Sequence, residues 1–142
     1  MKSTEFRIGN WIHNPVQKID FQIDIVAFSR IYYDELSKLP QRFEPIKITG
    51  DVLLRCGFTL YSNEGRYLIT PNDEIELLIA IESDNETTYC HIDIYQHIDK
   101  EDDEGAEIVY LTKENYTLHE LQNLFFSLTK TELVYTPLPS VK

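Results

Sequence analysis

The stretch Ile75-Glu76-Leu77-Leu78-Ile79-Ala80-Ile81-Glu82, followed by Tyr89-Cys90-His91-Ile92-Asp93-Ile94-Tyr95, decides the fold. Ile75, Leu77, Ile79 and Ile81 recur at every second residue, with Glu74, Glu76 and Glu82 on the other parity, and a period of two belongs to a strand with one buried face. Cys90, Ile92 and Ile94 repeat the pattern against Tyr89, His91, Asp93 and Tyr95. Ile108 to Leu111 offers one more strand after an acidic loop. Upstream, Phe58 to Tyr61 and Arg66 to Thr70 flank Ser62-Asn63-Glu64-Gly65, a hairpin signal. Together these runs predict an antiparallel meander of four or five strands.

Helix signals bracket the meander. Thr49 suits an N-cap, Asp51 the positive end of a helix dipole and Gly57 a left-handed C′ position, so residues 50 to 56 are expected as a short helix. Tyr116-Thr117-Leu118-His119-Glu120 reads as a capping box with a hydrophobic staple. Leu118, Leu121, Leu124, Phe125 and Leu128 follow at helical spacing, so a helix over about 118–130 should lay one apolar stripe on the sheet. Toward the N-terminus, Arg7 to Ile12 reads as a short strand ended by His13-Asn14-Pro15. The alternation Ile19, Phe21, Ile23, Ile25, Ala27 reads as a second strand, and Asp34 to Leu39 as one helical turn before Pro40. The expectation is a single α+β domain over 1–142. It comprises an N-terminal β region (about 5–48) with an SH3-like hairpin, a short central helix and meander (about 49–112), a C-terminal helix packed on the sheet, and a mobile tail (135–142).

With 142 residues, 42% of them hydrophobic and 12% aromatic, the chain has apolar surface enough for one packed core, which excludes global disorder. The formal net charge is −11, from 13 Lys and Arg against 24 Asp and Glu. Residues 71–110 hold 13 of the acidic residues and only one base, Lys100. Such a surface repels a duplex or an anionic bilayer, because binding either depends on cations that neutralise phosphate. Direct nucleic-acid or membrane binding is therefore not expected, whereas a basic protein groove is an apt partner. The opening MKSTEFRIGN has no apolar segment, and the longest strongly apolar run, Leu77 to Ile81, is shorter than a membrane span. Cys56 and Cys90 stand in unrelated contexts without a CxxC or a disulfide framework. A cytoplasmic location follows as the expectation.

Constellations for chemistry are sparse. His91, Asp93 and His97 share a strand parity and are metal-ligating types, but Cys90 points the other way and no fourth ligand is signalled. Asp99, Glu101, Asp103 and Gly105 resemble a calcium loop, yet the glycine comes one place late and Tyr110 stands where a bidentate Glu is needed. Both cysteines occupy core-like positions, and no phosphate-cradling glycine loop is present. No metal, cofactor or catalytic residue is expected, and the chain reads as a non-enzyme. The acidic window is either a solvated face or a set of carboxylates arranged for Arg and Lys side chains. In the second case the partner-binding candidates are Glu74, Glu76, Glu82, Glu101, Asp102, Asp103 and Glu104, with Tyr89 and Tyr95 as rigid aromatic contacts.

Three phrases, Glu5-Phe6-Arg7-Ile8-Gly9-Asn10-Trp11-Ile12, Pro45 to Phe58 (PIKITGDVLLRCGF) and Leu118 to Leu133 (LHELQNLFFSLTKTEL), stand in an order that resembles a family of small proteins encoded by phages and prophages of Bacteroidota. That family opens on Leu-Arg-Ile-Gly-Asn, continues through a Pro-Ile-x-Leu-Thr helix ending in Phe-Gly-Phe, and closes on His-x-Leu-Gln-Asn-Leu-Tyr-Phe-Ala-Leu-Thr. This chain departs from it at Gly50-Asp51-Val52, where the family has Glu-Glu-Trp, and throughout 71–110. The resemblance implies a mobile-element product without catalytic residues to carry over. Small acidic proteins of that origin include inhibitors of host defence, anti-CRISPR proteins among them. The implied activity is inhibition of an RNA-guided nuclease, a type VI-B RNA nuclease being a candidate. The alternatives are a structural or assembly protein of the element and, third, a small hydrolase.

Overall fold

A computed structural model describes residues 2–63, 65–84, 86–96 and 106–137. The fold is α+β with two antiparallel sheets, and the chain forms two compact units, Met1–Lys47 with Thr117–Lys142, and Ile48–Tyr116.

In the first unit a 3-10 turn, Ser3–Glu5, precedes strand β1 (Trp11–Asn14), β2 (Ile19–Gln22), helix α1 (Ile25–Leu36) and the two-residue β3 (Glu44–Pro45). The expected N-terminal hairpin is present as β1–β2, pairing Trp11 with Gln22 and Asn14 with Ile19, inside an open three-stranded sheet of order β2-β1-β3. The first strand begins at Trp11, later than Arg7, because Gly9 takes φ +97° and turns the chain. The second strand ends at Gln22. The alternation that predicts strand through Ala27 is overridden by Asp24, whose carboxylate accepts from Ala27 N–H at 2.8 Å and caps a 12-residue helix in place of the single turn at Asp34. Ala27, Ile31 and Asp34 form its buried face. Asp34 ends that face as a nearly buried carboxylate gripped bidentately by Arg42 at 2.8 and 3.0 Å, which holds it below the usual carboxylate range. Phe6, Ile12, Ile23, Ala27, Ile31 and Phe43 make the core, and Phe21 meets Phe43 edge-on at 5.0 Å.

Helix α3 (Leu118–Thr129) belongs to this unit and packs against β1. It starts where the sequence predicts, but the reciprocal capping bonds do not form. The Thr117 hydroxyl donates to Glu120 Oε1 at 2.8 Å, and the N–H of Leu118 finds Ile46 O at 2.7 Å. The tail also departs from the expectation at its first residue. Tyr135 is buried, lies edge-on to Trp11 at 5.3 Å and donates its hydroxyl to Asp20 at 2.7 Å. Residues 138–142 lie outside the described residues.

His119 is 2% exposed, with its ring 4.2 Å from that of Phe6 and Nδ1 3.1 Å from the Thr117 hydroxyl. Burial lowers its pKa below 6.5 against the opposing charges of Glu120 and Glu5. A lowered folded value means that the unfolded chain takes up the proton first as pH falls, so this contribution is full above the unfolded value and is lost below it. We expect the urea midpoint to drop between about pH 7.5 and about pH 5.5, and His119→Phe, which keeps the ring against Phe6, to flatten that slope. An identical slope in the variant would assign the acid sensitivity to other groups.

In the second unit, helix α2 (Gly50–Arg55) is capped by Thr49, whose hydroxyl accepts from Val52 N–H at 3.2 Å, and Gly57 ends it at φ +88°. Strands β4 (Thr59–Ser62), β5 (Arg66–Ile69), β6 (Ile75–Ser83), β7 (Thr88–Gln96) and β8 (Ala106–Glu114) form a five-stranded meander in sequence order, as expected. Leu77, Ile79, Cys90, Ile92 and Ile94 are buried on one face, and Val52, Leu53, Cys56 and Phe58 are buried with them in this unit. A Cβ on Gly50 would overlap the Tyr67 hydroxyl, so the first turn of α2 lies against β5 only because residue 50 has no side chain. Cys56, desolvated there, has its thiol pushed up to about 12.

Candidate interaction surface

The pleat that buries Leu77, Ile79, Ile92 and Ile94 turns the alternate residues outward. Register then decides which of them meet. Glu76 lies opposite Tyr95, Leu78 opposite Asp93, Ala80 opposite His91 and Glu82 opposite Tyr89. On the far side of β7, Glu114 faces Tyr89, Thr112 faces His91 and Tyr110 faces Asp93. Glu82 and Glu114 therefore flank Tyr89 from either side, two strand spacings apart, or about 10 Å. Glu76 and Glu82 stand six residues apart on one strand, about 20 Å. Arg66 and Leu68 of β5, paired with Ala80 and Leu78, border the same face.

A polar cluster ties the centre of this face together. His91 Nε2 lies 3.2 Å from Glu82 Oε2, and Nδ1 lies 3.1 Å from both the Thr112 and Tyr110 hydroxyls. The His91 and Tyr110 rings stack at 6.3 Å with 15° between their planes. These contacts span three strands and fix the side chains between the two ends of the acidic face. At the β6–β7 turn, Asp84 accepts from the backbone N–H groups of Thr87 (2.9 Å) and Glu86 (3.2 Å), and those bonds hold its carboxyl below the usual range. The turn is thus closed by a carboxylate that stays ionised.

Of the sequence-predicted residues, Glu76, Glu82, Tyr89 and Tyr95 share this face. Glu74 is exposed in the Asx turn before β6, where its N–H bonds Asn72 Oδ1 at 2.8 Å. Tyr89 and Tyr95 are half-buried and face outward, away from Cys90, Ile92 and Ile94. Glu101, Asp102, Asp103 and Glu104 lie outside the described residues, as do His97 and the calcium-like loop from Asp99 to Gly105. Asp93, Glu114, His91 and Tyr110 join the face without having been singled out as contacts. Period two already places Asp93 and His91 there. Glu114 and Tyr110 depend on the β7–β8 register, which shifts between Ile94 and Tyr95.

Chemistry beyond charge is not assembled among the described residues. No group of three His, Cys, Asp or Glu side chains is placed to hold a metal ion there. Cys56 and Cys90 are buried, and burial pushes the Cys56 thiol up to about 12, so it supplies no thiolate at neutral pH. Thr117, His119 and Glu120 have the residue types of a nucleophile, base and orienting acid, but Thr117 is 9% and His119 2% exposed, and the hydroxyl donates to the carboxylate instead of to the imidazole. No described helix is long and apolar enough to cross a membrane. No family model, curated protein or solved structure matches the chain.

Proposed function

We propose that this chain is a non-enzymatic inhibitor from a phage or prophage that seats its acidic sheet face in the basic groove of a host defence nuclease, an RNA-guided effector of type VI-B being the candidate target. One observation carries the reading. Glu76, Glu82, Asp93 and Glu114 stand on a single outward sheet face, interleaved with Tyr89, Tyr95 and Tyr110, in the unit that holds four Lys and Arg against sixteen Asp and Glu. Carboxylates at fixed strand spacings suit the planar forks of Arg side chains, and the half-buried tyrosines offer contact area at little entropic cost. A groove built for nucleic acid is lined with those cations. The resemblance of the Arg-Ile-Gly-Asn and Leu-Gln-Asn-Leu phrases supports reading the chain as a mobile-element product, and with it this class of target.

Capture on the immobilised chain from a Bacteroidota lysate, followed by competition with the captured protein's own guide or substrate RNA, tests the reading. The expected partner is a nuclease that loses RNA from its groove as the chain binds. A partner that keeps its RNA fully bound would overturn groove occupation. A partner with no nucleic-acid function would instead favour an assembly role.

A further inference from the structure

Helix α1 is apolar on both sides. Ala27 and Ile31 are buried, yet Ile25, Val26, Tyr32, Tyr33 and Leu36 are 52 to 72% exposed. Ile25, Ser29, Tyr32 and Leu36 follow one another at steps of four, three and four, the spacing of a helix–helix seam, and Val26 and Tyr33 run along one flank of it. Arg30 falls outside this stripe. Glu35 is engaged elsewhere, accepting from Ser3 N–H at 2.7 Å.

We propose that α1 pairs antiparallel with α1 of a second copy of this chain, making a two-fold dimer. The stripe is self-complementary in that arrangement. About a two-fold axis at the helix midpoint, Ile25 meets Leu36 of the other copy, Val26 meets Tyr33, and the small Ser29 makes room for Tyr32; each pair then recurs by symmetry. Ser29 carries no unsatisfied polar group into the seam, because its hydroxyl donates to Ile25 O at 2.8 Å. The area is of the right size. The five exposed side chains present on the order of 600 to 700 Å², near the roughly 800 Å² that each partner gives to a standard stable interface. Charge permits the contact too. The unit that carries α1 has nine Lys and Arg against eight Asp and Glu, so two copies meet there without the repulsion that the acidic unit would impose.

Sedimentation of the full chain between about 1 and 100 µM tests the proposal, with a mass twice that of the chain as the expected result. Tyr32→Glu with Leu36→Glu, both at exposed positions, should give a monomer with an unchanged circular dichroism spectrum. Orientation is tested by cross-linking. Ile25→Cys and Leu36→Cys chains, mixed and oxidised, should form a disulfide between copies, whereas either variant alone should not. A wild-type monomer at 100 µM, a glutamate variant that remains dimeric, or a disulfide formed by one variant alone would each overturn the antiparallel α1 dimer.

Discussion

Asn10→Ala is expected to destabilise the fold by about 3 kcal/mol. Asn10 is fully buried and works in both directions. Its Oδ1 accepts from Arg7 N–H at 2.6 Å, its own backbone N–H returns to Arg7 O at 3.1 Å, and its Nδ2 donates to Asn123 Oδ1 at 3.0 Å. Asn123 Oδ1 also accepts from Arg7 Nε at 2.7 Å, while Arg7 forks onto Glu132 and covers the ring of Phe126 at 4.7 Å. One residue on, Trp11 N–H donates to the buried Gln122 Oε1 at 2.8 Å. Alanine at position 10 leaves the part-buried Arg7 N–H without its acceptor and takes away one of the two donors to Asn123 Oδ1, and an unmade bond costs more than a made one contributes. Urea unfolding should show a lower midpoint at unchanged slope. A loss under about 0.5 kcal/mol would mean that the Gly9 turn, and not the asparagine, holds the loop.

That seam accounts structurally for two of the three phrases on which the proposed resemblance rests. Arg-Ile-Gly-Asn near one end of the chain and Leu-Gln-Asn-Leu near the other are hydrogen-bonded to each other through Arg7, Asn10, Gln122 and Asn123, across more than 110 positions of sequence. They describe scaffold. Gly50, where the resembled family has Glu, is likewise structural, because the Tyr67 hydroxyl occupies the space that a side chain would need.

The meander and the caps of α2 were legible because their signals are local: period two, a hairpin loop, a Thr before a helix and a Gly after it. Helix α1 was not, and the cause is physical. Its outward stripe of Ile25, Tyr32 and Leu36 blurs the 3.6-residue period, and Ile19 to Ala27 alternates straight through the Asp24 cap, so the strand pattern and the helix share the residues 25 to 27. Tyr135 escaped notice for another reason. Nothing near it in sequence announces Trp11 or Asp20, which reach it only after folding. For the acidic face, parity was enough to place Glu76, Glu82, Tyr89 and Tyr95 together. Adding Glu114 required a register that the shift near Ile94 had altered by one residue.

Glu74→Gln, Glu76→Gln, Glu82→Gln and Glu114→Gln made together should slow association with the captured partner by about 10- to 100-fold near physiological salt, where the screening length is about 8 Å. The effect belongs to encounter. Fixed charges of one sign raise the rate at which an oppositely charged groove is met, and most of that gain vanishes as salt rises, so the wild type and the variant should converge in concentrated salt. Glu74, Glu82 and Glu114 are exposed, and amide replacements keep shape and hydrogen-bonding capacity, so the urea midpoint should stay within about 0.5 kcal/mol of the wild type. A second variant, Glu101→Gln, Asp102→Asn, Asp103→Asn and Glu104→Gln, separates that segment from the sheet face. If it alone slows association, the partner reads the segment between β7 and β8 and not the pleated face. Tyr89→Ala with Tyr95→Ala divides the mechanism further, since loss of aromatic anchors should act on dissociation more than on encounter. Rates unmoved by the carboxylate changes and independent of salt would remove charge from the recognition altogether, and with it the case for a basic groove.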